Sequence, residues 1–134
     1  MVKSIFLQQF KVVLAGGASG IGITEFKKAN WLQVTPLHDP SRADLLSDLD
    51  RGEAEAIALT QELRANLVII DERLARKHAR RLGLKLTGTL GVLLEAKNRG
   101  YIGAIKPLIE QLVQGGIRLG EEVIAEALKL AKEN

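Results

Sequence analysis

The stretch Asn66–Ile70 (NLVII) limits the fold more than any other part of this chain. A strand with one face in water alternates apolar and polar residues, whereas Leu67, Val68, Ile69 and Ile70 follow one another without a break. Both faces of such a strand must be covered, the condition met in parallel sheets whose crossover helices lie on either side. The run opens directly into Asp71 and a helix-forming, base-rich segment. Strand, acid and helix in immediate succession are the punctuation of an α/β unit.

The rest of the chain follows the same grammar. Lys11–Ala15 (KVVLA) reads as a strand, Thr24–Ala29 as a helical turn, and Trp31–Thr35 (WLQVT) as a strand stopped by Pro36. Leu45, Leu46, Leu49, Ala56, Ile57, Leu59 and Leu63 are spaced mostly by three and four, which predicts helix over Ser41–Ala65 with a break near Gly52. Ala75, Ala79 and Leu82 predict a helix ending at Gly83, and Leu84–Thr87 (LKLT) a further short strand. Helices then follow at Leu90–Lys97, Ile105–Val113 and Glu121–Lys132. The last begins with two acids and ends with lysines, as the helix dipole favours.

A chain of 134 residues, 46% hydrophobic, has the size of one domain, and residues 1–134 are read as one. With no cysteine, disulfides, thiol nucleophiles and thiolate-bound zinc are excluded, and a reducing compartment fits. No apolar run is long enough for a membrane span, and no cleavable leader is visible, so the expectation is a cytoplasmic protein with no membrane partner.

The net charge of +3 is unevenly placed. Between Asp71 and Lys85, six bases (Arg73, Arg76, Lys77, Arg80, Arg81, Lys85) face two acids, Asp71 and Glu72. Between Arg42 and Glu62, six acids (Asp44, Asp48, Asp50, Glu53, Glu55, Glu62) face two bases. Carboxylates to hold a cation beside arginines to hold a polyanion is one reading, and two solvated helix faces is the other.

Ligands of parallel sheets sit beyond the carboxyl ends of the strands. Asp71 lies at one such end, and Thr87-Gly88-Thr89 at the next. Glu53 shares a helix face with Ile57, while Glu55 is turned from it by about 200°, so one of the two can aim at Asp71. One or two carboxylates with water and substrate phosphate suffice for Mg²⁺ or Mn²⁺. The plainer alternative is that Asp71 caps the helix that follows.

Leu49–Ile102, with the blocks GEAEAIAL, LVIIDER and TGTLGVLLEAK, resembles the core of the PIN-domain superfamily, nearest to a prokaryotic PIN-like branch related to VapC-type toxin ribonucleases; the likeness continues to about Leu130, giving a best-matched core of 49–130. The resemblance implies a three-layer α/β/α fold with a parallel sheet, a Mg²⁺- or Mn²⁺-binding acid cluster, hydrolysis of RNA, and an antitoxin-like protein partner. Carried over, the acidic helix position falls on Glu53 with Glu55 as alternative, the post-strand aspartate on Asp71, and the next polar position on Thr87 or Thr89. The catalytic expectation is thus Glu53 and Asp71, the metal expectation Glu53, Glu55 and Asp71. RNA contacts are expected at Arg73, Arg76, Lys77, Arg80 and Arg81.

This sequence also departs from the family. Its members open with a strand delivering an aspartate, which has no counterpart before MVKSIFLQQF, and a family glutamate falls on Lys11. The expectation is an N-terminally shortened member with weak metal binding and little ribonuclease activity. Residues 4–15 are expected to fill the middle of the sheet, or two chains to associate across it as a homo-oligomer.

Lys11–Gly22 (KVVLAGGASGIG) is similar to the short-chain dehydrogenase fingerprint, with Gly16, Gly20 and Gly22 placed to admit a pyrophosphate. The helix after it is too short, no acid follows the next strand for a ribose, and Tyr101 lacks a lysine four residues on; a glycine-rich loop is the simpler reading. His38 and His78 lack partners at metal-ligand spacing and read as solvated. Phe26 and Trp31 read as core, and Ser4, Ser19, Ser41 and Ser47 sit in no nucleophile elbow. Three functional classes therefore stand: a metal-dependent endoribonuclease, an inactive PIN-like module binding RNA or protein, and a nucleotide-binding domain through Gly16–Gly22.

Overall fold

The computed structural model describes residues 2–7, 10–14 and 32–134. The glycine loop Gly16–Gly22, the turn expected at Thr24–Ala29, Phe26 and Trp31 lie outside the described residues. The chain divides into two compact units, Met1–Thr87 and Gly88–Asn134.

In the first unit the strands are β1 (Val2–Leu7), β2 (Phe10–Leu14), β3 (Leu32–Thr35), β4 (Leu67–Ile69) and β5 (Leu86–Thr87). The helices are α1 (Ser41–Asp44), α2 (Arg51–Leu63) and α3 (Arg73–Arg81). The sheet order is β3-β1-β2-β4-β5. β2, β4 and β5 are parallel, the arrangement expected for the NLVII strand and its LKLT neighbour. β1 pairs antiparallel with both β2 and β3, so the sheet is mixed beyond its parallel part. Residues from the 4–15 stretch do occupy its interior: β2 is the middle strand.

Asn66 sets the register between β2 and β4. Its side-chain oxygen accepts from the Lys11 backbone N–H at 2.7 Å, and its own N–H donates to the Lys11 carbonyl at 2.8 Å. A short polar side chain at the strand's start thus closes a ring that a one-residue slip would break, turning each side chain to the opposite face. The core behind this sheet gathers Val13, Ile57, Leu59, Val68 and Ile70 with Ala56, Ala75 and Ala79. The alanines on α3 let that helix approach closely while Arg73, Lys77 and Arg80 stay exposed.

The expected break near Gly52 falls earlier. Residues 45–50 form turns, and Gly52 sits inside the first turn of α2, where helix N–H groups need no internal partner and glycine costs less than in mid-helix. α2 ends on Arg64, a non-glycine in the left-handed region at φ +49°, whose N–H and that of Ala65 return to carbonyls of the last turn. Gly83, at φ +74°, lets the chain leave α3 and enter β5.

The second unit holds α4 (Thr89–Asn98), α5 (Lys106–Gln114) and α6 (Glu121–Leu130). They match the expected helices to within one or two residues, closed in turn by Gly100 and by Gly115-Gly116. Ile105, Ile109, Leu90, Ala127 and Ala131 form their core. Glu133 fastens the unit: its carboxylate accepts from the backbone N–H groups of Ile105 and Lys106 at 2.9 and 3.0 Å and from Lys97 Nζ at 2.9 Å. Its pKa is pulled down to about 2, first by the Ile105 N–H and then by Lys97.

Candidate functional site

The parallel ladder fixes what lies at the carboxyl edge of the first unit. Val68 N–H donates to the Lys85 carbonyl at 3.0 Å and Ile70 N–H to the Thr87 carbonyl at 2.8 Å. Ile69 and Thr87 are paired across the strands, so Asp71 and Thr87 leave the sheet at one edge. Thr89 is the first residue of α4, one step after the cap Gly88.

Asp71 is exposed and does not cap α3. Glu72 takes that role, its Oε1 accepting from Leu74 N–H at 3.0 Å and its Oε2 from Ala75 N–H at 2.7 Å. The plain alternative for Asp71 is thereby answered: two of the orphan N–H groups of the first turn, those of Leu74 and Ala75, are served by its neighbour, and Asp71 stands at the strand's end.

Glu53 and Glu55 differ in a way that spacing alone could not decide. Glu55 receives Arg51 Nε at 2.9 Å, and this hydrogen bond holds its carboxyl below the usual range. Arg51 also reaches Asp44, so one guanidinium bridges both acids. Glu53, partly buried, has its carboxyl pushed up, first by burial and then by the negative charges of Asp50 and Glu72; a hydrogen bond from the Asp50 backbone N–H opposes the shift. That last contact is half of a capping box, and the Asp50-x-x-Glu53 spacing is the sequence signal for it. The carboxylates raising Glu53 are Asp50 and Glu72, rather than the expected Asp71.

Most other acids of the 42–62 segment are also engaged. Glu62 accepts the backbone N–H groups of His38 and Asp39 at 2.8 and 2.9 Å. Asp48 pairs with His78 Nε2 at 2.9 Å, so the His78 read as solvated has a side-chain partner; the contact joins residues thirty apart and leaves no trace in local spacing.

The base-rich helix is divided by its geometry. Arg76 turns to the sheet, its Nη1 donating to the Ile70 carbonyl at 2.8 Å, immediately before Asp71. Arg81 is a cationic neighbour of Asp48. Arg73, Lys77 and Arg80, at i, i+4 and i+7, share the remaining face and line a recess of about 490 Å³ with Glu72 and Leu74. All three are exposed.

A family model described as PIN domain matches residues 12–133, spanning both units. The chain belongs to this family. The three-layer α/β/α class inferred from the blocks at Leu49–Ile102 stands, with β2-β4-β5 as its parallel part. No curated protein and no solved structure matches the chain significantly. PIN domains are nuclease-like, nucleic-acid-related modules that generally use divalent metals. Among the described residues, however, no three His, Asp or Glu side chains converge on a common point, so Glu53, Glu55 and Asp71 do not form one cluster. Asp71 stands at the strand edge and Glu53 is partly buried, whereas Glu55 holds the Arg51 guanidinium and Glu72 the first N–H groups of α3. These side chains do not fit a complete protein cage for the ion. No described helix is long and apolar enough to cross a membrane.

Proposed function

We propose that this PIN domain binds RNA along the face of α3 carrying Arg73, Lys77 and Arg80, and that the family's metal-dependent hydrolysis of RNA is weak in this chain. The observation that carries the reading is the division of α3. Three cations are left on one exposed face beside the Asp71 edge, while Arg76 and His78 are held by internal partners. Cations at this spacing suit the repeating negative charge of a phosphate backbone. Glu72, in the same recess, has both oxygens engaged by helix N–H groups and serves as part of the frame.

A second reading, hydrolysis proper with Mg²⁺ or Mn²⁺, is favoured by Glu53. An acid held partly buried near Asp50 and Glu72 gains from a nearby cation, which would relieve the repulsion that raises its pKa. Asp71 is the other acid assigned to that reading, with Thr87 at its edge. One experiment tests both. A labelled single-stranded RNA is titrated with the protein across salt concentrations, then incubated with Mn²⁺ beside an Asp71→Asn variant. Salt-sensitive binding with slow cleavage is expected. Binding indifferent to salt would overturn the first reading. Robust cleavage abolished by Asp71→Asn would establish the second and show the ligand set to be sufficient.

A further inference from the structure

The second unit carries a surface that the RNA reading does not use. Val123, Ala127 and Leu130, at i, i+4 and i+7, form one face of α6. With Leu90 and Leu94 of α4 they line an apolar groove of about 310 Å³. Val123 is 57% and Leu130 63% exposed, so this seam is uncovered where a helix of a small domain usually buries such residues. Its flank is acidic: Glu122 and Glu126, also four apart, complete the lining.

We infer that this groove docks an amphipathic helix of a protein partner, whose apolar seam is flanked by lysine or arginine. The floor accepts aliphatic side chains at helical spacing, the usual way a groove reads a helix. The rim decides the partner's charge. RNA is excluded because Glu122 and Glu126 repel phosphate, and an anionic membrane surface for the same reason. A second copy brings the same acidic rim, Glu122 and Glu126, with no basic side chain among the groove's lining residues to complement it. A helix with basic flanks meets complementary charge on the rim, which governs orientation and rejects other partners. The inference is independent of the RNA reading, because it concerns α4 and α6 alone.

The test uses the full chain and a labelled synthetic helix of about 18 residues, five turns, with leucine at i, i+3, i+4 and i+7 and lysine on both flanks. A second peptide keeps the leucine seam and replaces each lysine by glutamate. The lysine peptide is expected to bind at least about tenfold tighter. Leu130→Asp should abolish that binding, and the double variant Glu122→Lys with Glu126→Lys should reverse the preference. All three positions are at the surface, and an unchanged far-ultraviolet circular dichroism spectrum verifies that each variant folds. Tighter binding of the glutamate peptide would overturn the inference, since it would place the contact on the basic face of α3. Equal binding of both peptides would overturn the claim that the rim selects the partner. Concentration-dependent self-association in sedimentation, removed by Leu130→Asp, would overturn it in favour of a second copy.

Discussion

Glu53 in the first unit and Glu133 in the second are the same side chain under opposite conditions. Glu133 accepts two backbone N–H groups and an ammonium, is 13% exposed, and titrates near 2. Glu53 sits partly buried near two other acids with one N–H donor, and its carboxyl is pushed up. A satisfied carboxylate is a structural tie, here joining the end of the chain to the N-terminus of α5. A carboxylate held close to like charge works against the fold unless something external compensates it. The same contrast separates the bases: Lys97 is tied to Glu133, whereas Arg73, Lys77 and Arg80 face outward without an ion-pair partner among the described residues. In the second unit Glu133 and Lys97 are tied to each other, while in the first Arg73, Lys77 and Arg80 stay open at one edge.

The largest effect that tests this contrast comes from the cores. Ile57→Ala in the first unit and Ile105→Ala in the second each remove most of a side chain with no exposed surface. Each should cost about 2–5 kcal/mol, read by urea denaturation. If the units are separate supports, each substitution will destabilise its own unit more than the other, as hydrogen exchange at Val68 and Ile109 can report. Equal loss of protection at both sites would break the comparison.

Next in size is the salt dependence of RNA binding. Replacing Arg73, Lys77 and Arg80 together by alanine should flatten the slope of log affinity against log salt by roughly 2, at ~0.7 per phosphate contact on a single strand. Arg76→Ala should leave the slope nearly unchanged, because that guanidinium is committed to the Ile70 carbonyl. An Arg76 effect equal to that of Arg80→Ala would put Arg76 back on the RNA face.

The two glutamates then give pH effects of opposite sign. Glu133 is depressed from its usual 4.5 to about 2, so its stabilisation is complete above about pH 4.5 and is lost as pH falls toward 2. Glu133→Gln should lower the thermal midpoint of the second unit at pH 7 and remove this acid-dependent loss. Glu53 is raised, so its protonated form favours the fold, and stability is lost as pH rises from 4.5 through the raised value. Glu53→Gln should therefore raise the midpoint slightly at pH 7, the smallest effect of the set because water still reaches the side chain. A fall on that substitution would show that the half capping box outweighs the repulsion.

The sequence by itself determined the alternation of elements, the parallel β4-β5 pair, the family, and the placing of Asp71 and Thr87 at one edge. These rest on local causes: a continuous apolar run fixes a doubly covered strand, and helix ends follow glycines such as Gly83 and Gly100. Tertiary structure decided the fate of the charges. That Glu72 rather than Asp71 caps α3, that Arg51 takes Glu55 and leaves Glu53, that His78 meets Asp48, and that Arg76 turns inward to Ile70 each depend on which side chains arrive at the same place. Helical periodicity tells which side chains share a face, but a charged group's protonation and availability are set by its neighbours within a few ångströms. Some of those neighbours lie thirty residues away along the chain, as Asp48 does from His78, and local spacing carries no information about them.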